Sequence, residues 1–206
     1  QKSNSKPTYL VKGQRERDPW SIIMSEEDII EEAVTKILHG IGENPRRQGL
    51  QETPKRVAKL YAELFSGLHK DPAAELSVTY EGDYQDIVLV RDIHFYSMCE
   101  HHLLPFFGSA HIGYTPNGRV AGTSRLARVF EVLTKRPQIQ ERLTEQLADV
   151  VNQALNPRGV AVMVEAEHLC MSMRGIQRPG TRVITSSSRG DIDRDRFLAL
   201  IQSSRV

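Results

Sequence analysis

The run IVLVRDIHFYSMCEHHLLPFFGSAHIGY, residues 87–114, carries two signals at once. Ile87-Val88-Leu89-Val90, Ile93-His94-Phe95-Tyr96 and Phe106 to Tyr114 are rich in β-branched and aromatic residues and read as strands. Pro116-Asn117-Gly118 closes the segment with a turn. Between the strands lies Cys99-Glu100-His101-His102, a cluster of side chains that bind metals or move protons.

On both sides of this run the periodicity becomes helical. Upstream, Ser25-Glu26-Glu27-Asp28 has the form of a capping box with Asp in the usual Glu place. Ile29, Ile30, Ala33, Val34, Ile37 and Leu38 follow at helical spacing, until Gly40 and Gly42 end the helix. A second helix is expected with Thr53 as its cap and Pro54 in its first position, stopping at Gly67. Downstream, helices are expected from Ser124 to near Lys135 and from Pro137 to Leu155. Val160 to Cys170 and Thr181 to Ser187 read as strands, and Arg194 to Ile201 as a closing helix. Helices, hairpins, helices and then strands imply an α+β fold with an antiparallel sheet. Residues 1–24 lack an apolar period and read as a flexible N-terminal arm, ahead of a helical region at 25–70.

The 206 residues suffice for one domain, or one with an appendage. Lys and Arg number 27 against 26 Asp and Glu, and this near-neutrality argues against generalised affinity for nucleic acid or an acidic membrane, though not against a local basic cluster. Two cysteines exclude a disulfide scaffold and favour a reduced, cytoplasmic setting. No run approaches the roughly 20 apolar residues of a membrane span, and the opening residues, polar and mixed in charge, do not resemble a secretory signal.

The second cysteine lies in Glu165-Ala166-Glu167-His168-Leu169-Cys170, so both cysteines have histidines beside them. On a strand, His168 and Cys170 would share one face. Two thiolates and an imidazole would make a Cys₂His set, with room for water at a fourth position as in catalytic zinc sites. Histidines left over would serve as acid–base groups. The spacing equally accommodates a structural Cys₂His₂ site, or two small buried hydrophobes beside hydrogen-bonded histidines.

Ser124-Arg125-Leu126-Ala127-Arg128 sets a hydroxyl and two guanidiniums at an expected helix start, which suits a phosphate or a solvated face. Arg56 and Lys59 show the same three-residue spacing, and Arg174 follows the second cysteine. Glu141 opens the long helix, where the macrodipole favours a carboxylate; it would also suit the N1–H and 2-amino donors of a guanine.

Thr-Pro-x-Arg-Val-Ala-Lys, Cys-Glu-His-His-Leu-Leu-Pro-Phe, Gln-x-Gln-Glu-Arg-Leu-Thr and His-x-Cys-Met-x-Met-Arg-Gly occur here in that order. Together they resemble the GTP cyclohydrolase I family, over nearly all of residues 25–201. The resemblance implies Zn2+ on Cys99, His102 and Cys170, with His101 and His168 as catalytic histidines aided by Ser124. It implies triphosphate contacts at Arg125, Arg128 and Arg174, joined by Arg56 and Lys59 from a neighbouring subunit. Glu141, with the backbone around Gln140, would anchor the guanine. The fold implied is the tunnelling fold across residues 71–206, an antiparallel sheet with helices on one face. Subunit sheets would join into a barrel within a homodecamer of two pentamers. The implied reaction opens the guanine imidazole ring of GTP, releases formate and yields 7,8-dihydroneopterin triphosphate, the first step towards tetrahydrofolate and pterins. A paralogue acting on a modified purine nucleotide, or a non-catalytic zinc-stabilised nucleotide-binding oligomer, are the alternatives. Gly122-Thr123-Ser124-Arg125 stands where the family usually has Gly-Leu-Ser-Lys, and Gly180 where it has Ser.

Overall fold

A capping box at Ser25 starts the first helix, α1 (Glu26–Gly40): Ser25 Oγ accepts from the Asp28 N–H and the Asp28 carboxylate accepts from the Ser25 N–H. The computed structural model describes residues 25–82 and 84–203, so the arm expected at 1–24 lies outside the described residues. The chain divides into two units between Ala62 and Glu63. In the first, α2 (Thr53–Leu64) begins one residue earlier than expected. The Thr53 N–H bonds to the Leu50 carbonyl of the preceding turn, and Pro54, lacking an N–H, sits in the first turn where helix donors are unpaired anyway.

The second unit is built on a five-stranded sheet of order β5-β2-β3-β6-β7. A 3-10 turn (Pro72–Leu76) leads to β1 (Thr79–Glu81), which pairs with β4 (Arg119–Ala121) in a separate ribbon. The two apolar runs at the start of the diagnostic segment are one strand, β2 (Val88–Cys99), with a register shift between Val90 and Ile93. Asp92 takes a positive φ of 58° there and donates its N–H to His111 Nδ1. β3 (Pro105–Thr115), β6 (Gly159–His168) and β7 (Val183–Gly190) continue the sheet antiparallel.

Helices α3 (Thr123–Thr134) and α4 (Gln140–Leu155) cover one face. The core between them and the sheet contains Phe106, Ile112, Tyr114, Phe130, Leu143 and Val162, all at most 1% exposed. Two features depart from the sequence reading. Pro137–Gln138 do not open the long helix; they form β5, parallel to the end of β2. The Gln138 amide is held there by the Leu133 carbonyl, which keeps this stretch extended until α4 starts at Gln140. The closing helix α6 (Arg194–Gln202) lies on the face opposite α3 and α4, where the Phe197 ring covers Gly113 so closely that a Cβ would come within 2.6 Å of it.

Candidate active site

The hairpin turn after β2 gathers the first half of the site. Cys99, at the strand's end, donates its N–H to Leu104 O, and its own carbonyl accepts from Leu103 N–H at 2.8 Å, with Leu103 at a positive φ of 50°. This tight turn folds His101 and His102 back over the cysteine: their Nδ1 atoms lie 4.0 and 3.9 Å from Cys99 Sγ. Cys170 comes from the far end of β6, but not from the strand itself. The strand stops at His168, and Leu169–Ser172 form a single helical turn, α5. The alternation expected to align His168 with Cys170 therefore does not operate; the helical turn aims the thiol instead.

Ligand atoms of Cys99, His102 and Cys170 all lie within 4.8 Å of one another. Both cysteines are free. Burial, and then the Cys99 sulfur beside it, push the Cys170 thiol up from its ordinary range. Two adjoining thiolates in this setting are unfavourable alone, and a dication between them removes the penalty; two sulfurs and an imidazole suit the borderline softness of zinc. The residues present thus fit a metal of the expected kind.

His101 remains exposed, 3.9 Å from Glu100. Glu100 is in turn paired with Arg142, whose guanidinium also donates to Gln138 Oε1 and to Pro137 O, tying the turn to the start of α4. Hydrogen bonding to Arg142 holds the Glu100 carboxyl below its usual range. His168 is half-buried against Phe106, and burial holds its imidazole below the ordinary range, opposed by the Glu141 carboxylate. Its Nε2 lies 2.8 Å from Gln140 Oε1. Sequence reasoning gave Gln140 only a backbone part and missed its side chain, along with Arg142 and Glu100. The signal for all three was present in the Gln-x-Gln-Glu-Arg and Cys-Glu-His-His motifs.

The remaining positions sit nearer solvent. Glu141 is exposed in the first turn of α4. Ser124 and Arg128 are exposed on α3, and Arg125 approaches Glu75 at 3.7 Å. Arg128 also lines a cavity of about 140 Å³ with Lys70, Lys135 and Glu131. Arg174 is exposed just beyond α5. The segment after it is pinned by Glu167, which accepts from Ser172 Oγ and from the N–H of Gly180, a residue at φ 78° where glycine suits better than serine. Arg56 and Lys59 are exposed on α2, in the other unit.

Comparison with known proteins identifies the family. The family model described as GTP cyclohydrolase I matches residues 30–202. Proteins named GTP cyclohydrolase 1 are 53% identical in Streptococcus agalactiae, covering 87% of this chain and 99% of that protein, and 56% identical in Dehalococcoides mccartyi, covering 87% and 98%. One in Streptococcus pyogenes is 59% identical over 78% of this chain and 83% of its own length. With a match of that extent over the segments that build the site, the chain belongs to the GTP cyclohydrolase I family.

Proposed function

We propose that this chain is a GTP cyclohydrolase I: it hydrolytically opens the imidazole ring of GTP, releases C8 as formate and rearranges the remainder to 7,8-dihydroneopterin triphosphate. The observation that carries this reading is the convergence of Cys99, His102 and Cys170 in a chain that keeps both further histidines, His101 and His168. Zn2+ held by those three side chains would supply Lewis-acid activation of the water that attacks guanine C8.

The chain's own residues divide the remaining work. His101, exposed beside Glu100, takes and returns protons at the guanine imidazole ring. His168, once it has taken up a proton, donates it to the ribose ring oxygen, opening the sugar for an Amadori-type rearrangement before the pterin ring closes. Ser124 assists the later proton transfers. Glu141 accepts from guanine N1–H and the 2-amino group, next to the Gln140 backbone. Arg125, Arg128 and Arg174 hold the triphosphate, and that remote binding energy positions the base. Arg125 exchanges Glu75 for phosphate on binding.

Arg56 and Lys59 reach the triphosphate of a neighbouring subunit, in a homodecamer whose subunit sheets close into a barrel. Such an assembly reconciles a chain of net charge +1 with a basic pocket. Among the described residues no helix is long and apolar enough to cross a membrane. Two free thiols and a nucleotide substrate suit the cytoplasm.

The test is direct. The purified chain, incubated with GTP, should release formate and give a pterin that fluoresces after oxidation; no turnover from fully zinc-loaded protein overturns the reading.

A further inference from the structure

Gln140 is 1% exposed, yet every polar atom of its side chain is engaged. The two hydrogens on its Nε2 are shared among three acceptors, Val164 O at 3.0 Å, Val183 O at 2.9 Å and Thr185 Oγ1 at 3.1 Å. Its Oε1 lies 2.8 Å from His168 Nε2. Thr144 Oγ1 donates to the Gln140 carbonyl and touches Thr185 Oγ1 at 2.6 Å, closing a buried ring of hydrogen bonds around the amide.

These contacts determine which way the amide faces. Main-chain carbonyls only accept, so exchanging nitrogen and oxygen would set Oε1 against two carbonyl oxygens. The amide oxygen is therefore held at His168. Because that oxygen also only accepts, the ring must carry a proton on Nε2. Phe106, stacked on the imidazole with planes 2° apart, holds the ring plane. His168 Nδ1 makes no hydrogen bond to any described residue.

We propose that Gln140 is a positioning residue that locks His168 as the Nε2–H tautomer and thereby presents Nδ1 as the nitrogen that exchanges a proton with the substrate. The inference rests on the reading of His168 as the group that delivers a proton to the ribose ring oxygen. It gives the Gln140 side chain a part distinct from guanine contact, and acts on the chemical step rather than on binding.

Two variants of the full chain test it. Gln140→Met keeps length and removes every hydrogen bond; Gln140→Asn keeps a buried amide one methylene short of His168, and carries the test should the methionine chain not fold. Either should lower kcat about 10- to 100-fold with KM for GTP within about twofold, at unchanged zinc content. Histidine 15N spectra should show His168 as a single Nε2–H tautomer in the unaltered chain and a mixture in the variants. Added to His168→Ala, Gln140→Met should cost no further turnover, because it acts through that ring. A folded, zinc-loaded variant with kcat within about twofold of the unaltered chain, a raised KM at constant kcat, or an additive loss overturns the proposal. Failure of the underlying function looks different: the unaltered chain, or His168→Ala against it, would then show no GTP-dependent difference, while the 15N spectra would still decide the tautomer.

Discussion

Phe106 and His168, cross-strand partners on β3 and β6, stack with ring centroids 4.7 Å apart and planes 2° from parallel. Phe106 is completely buried and also meets Phe95 edge to face at 5.8 Å, so the wall behind His168 belongs to the hydrophobic core. The core and the proposed acid–base group are thereby coupled. Phe106→Ala should cost about 3–5 kcal/mol of stability, the range for emptying a buried aromatic site. Its kcat should fall more than its KM rises, since the imidazole loses its flat support. Denaturant unfolding and GTP turnover measure both; an unaltered kcat in the folded variant would separate the stack from the chemistry.

Removing a thiol and removing the second histidine should have opposite signatures. Cys170→Ala deletes one of three converging donors and should lose zinc and turnover together. His168→Ala leaves those donors in place and should keep zinc while losing turnover. Metal analysis alongside formation of the fluorescent pterin distinguishes them, and two active variants would contradict the site assignment.

The two halves of the site were not equally legible in the sequence. The hairpin half was, because Cys99 and His102 are close in sequence and one tight turn brings them together. The capping box at Ser25 was equally readable, being a local hydrogen-bond pattern. The Cys170 half was read through a strand that ends two residues too soon, and a single helical turn has no periodicity to detect. The parallel pairing of Pro137–Gln138 depends on β2, which is distant in sequence. The part of the Gln140 side chain was not legible for the same reason: a buried amide looks like any polar residue at a helix start until its four partners, from β6 and β7, are known.

Arg142 should matter more to metal binding than its partly exposed position suggests. It ties Glu100, between Cys99 and His101, to Gln138 and Pro137, and so braces the turn that presents His102. Arg142→Ala should weaken zinc binding about 10-fold, as loss of an outer support commonly does. Competition with a chromogenic chelator reads the change, and unchanged affinity would show that the turn holds itself.

Tyr114 gives the core a dependence on alkaline pH. Fully buried, its hydroxyl accepts from the Ala121 N–H, and burial raises its pKa above the usual 10.0. Since the folded value lies above the unfolded one, the stabilisation is complete below about pH 10 and is lost as pH rises through the folded pKa. Tyr114→Phe leaves Ala121 N–H without its acceptor and should cost about 1–3 kcal/mol at neutral pH. It should also lose the alkaline fall in melting temperature that the unaltered chain shows above pH 10. An identical alkaline slope in both chains would assign it to another group.

A site shared between subunits makes a prediction that a self-contained site cannot. Arg56→Ala and His168→Ala would each inactivate a homogeneous assembly, one by loosening the triphosphate and the other by removing the acid. In a proposed site that draws His168 from one chain and Arg56 from its neighbour, a mixed assembly regains some intact sites. An Arg56→Ala chain supplies the histidine and an adjoining His168→Ala chain supplies the arginine. With equal amounts mixed at random, about a quarter of the sites carry both unaltered residues. Turnover should then recover to about a quarter of the unaltered enzyme after the two chains are unfolded and refolded together, and not after simple mixing of preformed assemblies. If co-refolding restores nothing while each variant still assembles, Arg56 serves the chain that carries it.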